Sequence, residues 1–165
     1  MLKRSLLVTL ALTALVWSGS NESYLANLSS FPSNIVRTVK DLNRTFLQNK
    51  LNGNWHVRVI DGKDVRQARA ILDLDLDEMR LSGFDACNRI EGNLTRQSEE
   101  HLLAEELSTT RMACRESIHM WVRGALHQMI KEGFTIKEEE KYGIRGLTLK
   151  SPKHELFLKK MGKEN

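Results

Sequence analysis

Two cysteines, five histidines and a ladder of aspartates are the residues of this 165-residue chain whose types could do chemistry. Cys87 precedes Asn88 and Arg89, and Cys114 precedes Arg115. A positive neighbour favours the thiolate, the reactive form of cysteine in nucleophilic and redox work. A cysteine enzyme also needs a histidine base within reach of the sulfur, which spacing alone does not supply. Two cysteines and no others, in a chain bound for an oxidising compartment, point more simply to one disulfide. The bridge is the favoured reading, and a reactive pair is its alternative.

Metal chemistry has less to build on. His56, His101, His119, His127 and His154 are scattered. His119 and His127 share a helical stretch but are two turns apart, too far for one ion without help. Asp73, Asp75 and Asp77 resemble the start of a calcium loop. However, the sixth position is Glu78 rather than glycine, and the twelfth is Phe84 rather than glutamate. Alternating Leu72, Leu74 and Leu76 require an extended backbone, which spreads the three carboxylates along a solvated face. No phosphate loop, dinucleotide fingerprint or nucleophile elbow is present. The expectation is therefore no catalytic residue, no metal ligand and no cofactor.

These residues must be positioned by elements that the hydrophobic pattern outlines. Trp55, Val57 and Val59 alternate with His56 and Arg58 before an Asp61-Gly62 turn, and Ile71 to Asp77 alternates strictly. Met79 to Phe84 and Arg89 to Leu94 predict two short strands around the first cysteine. Leu102, Leu103 and Leu107 predict another, with Arg96 to Glu100 as an exposed turn between. After the second cysteine, Ile118, Trp121, Val122, Ala125, Leu126, Met129 and Ile130 recur at helical spacing. Ser117 suits the N-cap and Gly133 the left-handed position past the C-terminus. Burying Trp121 or Leu126 on a sheet should stabilise the fold by roughly 1.5–3 kcal/mol each. Phe134 to Lys137, Ile144 to Lys150 and Glu155 to Lys159 predict three final strands, with turns at Tyr142-Gly143 and Ser151-Pro152.

The N-terminal part has a different texture. Lys3 and Arg4 followed by the apolar run Leu6 to Val16 read as a signal peptide over residues 1–18, with an uncleaved anchor as the alternative. No cysteine lies near the cleavage region to accept a lipid. Residues 19–50 read as a polar linker and a short amphipathic helix on Ile35, Val39, Leu42 and Phe46, ending near Asn49. Its apolar stripe packs on the domain or, through residues 33–49, docks on a partner or makes peripheral membrane contact. The net charge of +4 falls to +2 when Lys3 and Arg4 are removed, since 23 basic then face 21 acidic residues. That excludes a strong nucleic-acid footprint, and no basic block is interleaved with aromatics. Sequons at Asn21, Asn27, Asn43 and Asn93 matter only where the host glycosylates.

The central stretch carries a family signature. Gly83, then Ala86-Cys87-Asn88-Arg89-Ile90-Glu91-Gly92, then Thr110-Arg111-Met112-Ala113-Cys114 resemble the two motif blocks of the META-domain family, which includes a bacterial heat-shock protein. Leu51-Asn52-Gly53-Asn54-Trp55 resembles its opening strand, so the match spans essentially residues 51–161. The resemblance implies an α+β domain, in which a curved antiparallel β-sheet or open barrel packs around one α-helix. It implies that Cys87 and Cys114 pair, in agreement with the reading above. It also implies a periplasmic or secreted, stress-related protein with no enzymatic activity, acting on an unidentified envelope protein. A lipid or other apolar ligand held between sheet and helix is the alternative. Ala86 departs from the family's more common glycine, and residues 19–50 lie outside the match. Structural roles are expected for the motif residues: turns or bulges at Gly83 and Gly92, backbone bonding by Asn88, and bridging of carbonyls or a carboxylate by Arg111.

Overall fold

The computed structural model describes residues 33, 37–38, 50–98 and 101–162. The chain divides into two units, Met1–Thr45 and Phe46–Asn165. In the first, only Ser33, Arg37 and Thr38 are described, all helical. The signal peptide over 1–18, most of the amphipathic helix over 33–49, and the sequons Asn21, Asn27 and Asn43 therefore lie outside the described residues. No described helix is long and apolar enough to cross a membrane.

The second unit is an antiparallel sheet of eleven strands curved into a half-barrel, with one long helix. The strands are β1 (Gly53–Ile60), β2 (Lys63–Asp64), β3 (Ile71–Asp75), β4 (Arg80–Phe84), β5 (Arg89–Asn93), β6 (Thr95–Arg96), β7 (His101–Leu103), β8 (Ser108–Thr109), β9 (Phe134–Lys141), β10 (Ile144–Lys150) and β11 (Glu155–Lys160). The helix α1 (Ser117–Glu132) falls between β8 and β9. Across the sheet the order is β6-β7-β9-β10-β11-β1-β3-β4-β5-β8, with β2 folded back on β1. The opening strand thus pairs with the final one, Val57 opposite Leu158, and closes the middle of the sheet.

Alternation produces this layering, because successive side chains of a strand point to opposite faces. Trp55, Val57, Leu72, Leu74, Leu81, Leu147, Leu149, Leu156 and Leu158 turn inward and are buried. From the helix, Val122, Ala125, Leu126, Met129 and Ile130 join the same core. Asp73 and Asp75, between the leucines, stay half-exposed. Asp75 accepts the backbone N–H of Glu78 at 2.9 Å, and Asp77 accepts Asn52 Nδ2 at 2.7 Å. Those carboxylates organise the β3–β4 turn.

Several expectations need correction. Trp121 is not buried; it is 37% exposed, with Lys63 Nζ 5.0 Å from its ring centroid. It lies about 100° round the helix from Val122, at the flank of the apolar stripe. Ser117 is not the N-cap. The extended Glu116 precedes the helix, and its carbonyl accepts His119 N–H at 3.1 Å with no side-chain cap. Gly133 has the positive φ of 87°, but its ψ of 154° is extended, so the chain passes straight into β9. Leu107 is outside any strand. β7 stops at Leu103 because Ala104 N–H turns to the helix carbonyl of Ile130 at 3.1 Å. Arg96 belongs to β6 rather than to an exposed turn, and β9 runs on to Lys141.

Candidate functional site

The site forms where the β4–β5 connection meets the segment leading into α1. Asp85-Ala86-Cys87-Asn88 makes a tight bend with all four residues buried. Asp85 Oδ1 accepts the backbone N–H of Cys87 at 2.9 Å and of Asn88 at 2.7 Å, while Asp85 N–H donates to Asn88 O at 2.9 Å. Aspartate is suited to this, because its short carboxylate reaches the backbone two and three residues on. The bend requires a positive φ of 82° at Ala86. Glycine adopts that conformation without strain, whereas the Cβ of alanine makes it costly.

Cys87 is joined to Cys114 with Cα atoms 5.1 Å apart, so the disulfide expectation holds and the reactive-thiol alternative does not. No free cysteine exists. Beside the bridge, Asn88 is the brace. Its Oδ1 accepts Met112 N–H at 2.6 Å and the Thr110 hydroxyl at 3.1 Å, and its Nδ2 donates to Met112 O at 3.4 Å. Thr110 completes the seam: its Oγ1 accepts Arg89 N–H at 3.1 Å, and its N–H donates to Arg89 O at 3.1 Å. A covalent tie and five hydrogen bonds therefore join the two motif blocks.

The glycines serve close approach. A Cβ on Gly83, whose φ is 151°, would stand 2.0 Å from Ile71 O of the neighbouring strand. Gly92 corrects the turn-or-bulge expectation. It lies within β5 without a positive φ, and a Cβ there would meet Glu106 O at 2.8 Å.

Not every motif residue is built in. Arg89, Arg111 and Met112 are exposed, Met112 at 59%. Among the described residues, the Arg111 guanidinium makes none of the expected bonds to carbonyls or a carboxylate. Thr110 holds the backbone of Arg89, and the Asn88 side chain holds the backbone of Met112, so the three side chains rise from one rigid seam.

Sequence reasoning missed the group beneath this seam. Asp85 Oδ2 is 2.7 Å from His127 Nε2 and 3.6 Å from Arg123 Nε. Arg123 and His127 lie one helical turn apart and face the same way. The Asp85 side chain is fully buried. Burial by itself would raise its pKa, but the His127 bond and the N–H groups of Asn88 and Cys87 outweigh it and hold the carboxyl below its ordinary range. A carboxylate only accepts, so Nε2 of His127 carries the shared proton. With both oxygens committed, Asp85 is poorly placed as a base and well placed as an anchor between bend and helix. The one sequence signal was an aspartate two residues before the cysteine, where an Asx turn is common.

The other histidine tie is similar in kind. His154 Nδ1 meets Asp61 Oδ2 at 2.8 Å and its Nε2 meets Gln128 Oε1 at 3.3 Å, linking the turn after β1 to the helix. Among the described residues no three metal-ligating side chains gather. Between sheet and helix, Leu126, Met129 and Ile130 are wholly buried, so an apolar ligand there would have to displace core side chains.

Comparison with known proteins agrees with this geometry. The META domain model matches residues 47–162. No curated protein matches the chain. One solved NMR structure is 24% identical, covering 70% of this chain and 92% of that one, with a TM-score of 0.55. A second, of a protein from Burkholderia xenovorans, is 19% identical, covering 72% of this chain and 88% of that one, with a TM-score of 0.53. These likenesses establish the shared half-barrel and no activity.

Proposed function

The chain belongs to the META-domain family, and from that premise we propose that it is an exported, non-enzymatic envelope protein that serves in stress by contacting another protein. The observation that carries this reading is the division within the motif. Asn88, Thr110 and the disulfide form a scaffold that grips the backbone of Arg89 and Met112, while the side chains of Arg89, Arg111 and Met112 project from it. Arginine and methionine are enriched at protein interfaces, and a rigid seam lowers the ordering cost of binding. The bridge is compatible with an oxidising compartment. The anchoring of Asp85 and His127 supports a non-enzymatic role, since it leaves no free carboxylate oxygen in that group for proton transfer.

Chemical crosslinking of the full-length protein in envelope fractions, with and without heat stress, tests the reading. A protein captured by the wild type under stress should be lost with Arg111→Ser/Met112→Ser. Capture of the same proteins by both would overturn the proposed contact surface.

A further inference from the structure

The outer face of the sheet, away from the helix, carries a basic concavity of about 430 Å³. That volume falls within the roughly 300–1,000 Å³ of small-molecule sites. Strand register builds it. His56 of β1 is flanked by Lys159 of β11 and Ile71 of β3, and Arg58 reaches the same hollow from the irregularity in register between Val57 and Val59. Arg69 enters from the turn before β3, held at a φ of 54° with its N–H on Arg66 O at 3.2 Å. Met161 adds a second apolar wall beside Ile71, and among the described residues no carboxylate lines the space.

The cations here differ in what they do. Arg66, just outside, is satisfied by Asp64 at 2.8 and 2.9 Å. Lys160 donates to Lys50 O at 3.2 Å and stands over the Trp55 ring. Arg69 and Lys159 have no such partner among the described residues, and Arg58 has no hydrogen bond or close ion pair, although its charge is felt at Asp64. A chain of net charge +4 thus gathers Arg58, Arg69 and Lys159 around one hollow. The field is felt locally: burial, then the charge of Arg58, lowers the pKa of His56.

We propose that this concavity is a binding site for a small phosphate-bearing molecule with a short apolar body. Two guanidinium forks and one ammonium match a tetrahedral dianion with three peripheral oxygens better than a planar carboxylate. Ile71 and Met161 supply the contact for the apolar body. The site lies on the opposite face of the sheet from the helix and shares no residue with the Cys87–Cys114 seam, so it stands apart from the protein-contact reading.

The test is an NMR titration of the full chain with hexyl phosphate, reading the amides of His56 and Ile71 and the methyl of Met161. The site predicts saturable shifts at all three. Arg58→Gln and Arg69→Gln should each weaken binding about tenfold. Lys131→Gln, an equal charge loss in the last turn of the helix on the other side of the sheet, should leave it unchanged. Inorganic phosphate and vesicles of phosphatidylcholine with or without phosphatidic acid form parallel arms. Shifts with free phosphate assign a soluble phosphate, and shifts only with phosphatidic acid vesicles assign a lipid phosphomonoester headgroup; either supports the site. No saturable shift in any arm, or equal weakening by Lys131→Gln, would overturn it.

Discussion

At Asp85 a carboxylate sits where water does not reach it, and four groups from two elements converge on its oxygens. Replacing it with asparagine exchanges one acceptor oxygen for a donor facing His127. Asp85→Asn should therefore cost about 1–3 kcal/mol, measured by urea unfolding at neutral pH. The acid limb carries a second expectation. The folded pKa is lowered, so its contribution is complete above the unfolded value of about 4 and is lost as pH falls through the folded value. The wild type should lose stability over that window, and Asp85→Asn should show a flatter acid limb. At the neighbouring residue, Ala86→Gly should stabilise by about 1 kcal/mol, because a non-glycine side chain is strained at a φ of 82°. A rise in melting temperature of the purified protein checks it.

Among the elements, the helix separates what pattern can predict from what packing decides. Its existence and inner face were legible, since Val122, Leu126 and Met129 share one stripe whatever they pack on. The position of Trp121 was not, because a flank residue is buried or exposed according to how far the sheet curves around it. Leu126→Ala should cost about 2–5 kcal/mol as a core truncation. Trp121→Ala should cost well under half of that, with thermal unfolding as the measurement. The strands were legible through alternation, most clearly β3 and β10. Short β8 and the end of β7 were not, because a backbone bond from Ala104 to the helix, invisible in the sequence, ends the pairing. The bend at Cys87 was legible in part. Asn88 was expected to bond backbone and does. The link between Asp85 and His127 spans 42 residues and exists only once sheet and helix have docked.

For the whole molecule, the bridge closes a loop spanning 27 positions between the two motif blocks. On the chain-entropy account this constrains the unfolded state by about 3.5 kcal/mol. Cys87→Ser and Cys114→Ser should each lower stability by about that amount, and the double variant by no more than either alone. Equal and additive losses would instead describe two independent packing defects. The protein isolated from its native compartment should show no reactive thiol. The order of strands, one helix and more strands could be read from the pattern, and the half-barrel only from the resemblance that the family blocks carry. The basic hollow on its outer face could not, because Arg58, Arg69 and Lys159 come from three segments that only the register of β1, β3 and β11 assembles.

The central claim is that the motif seam divides into an internal brace and an outward-facing contact set. Side-by-side urea unfolding of Asn88→Ala and Arg111→Ser/Met112→Ser tests it most directly. Losing the buried amide orphans the Met112 N–H, so Asn88→Ala should cost about 1–3 kcal/mol. The exposed double variant should stay within about 0.5 kcal/mol of wild type. A loss from Arg111→Ser/Met112→Ser as large as that from Asn88→Ala would contradict the division, and with it the proposed contact surface.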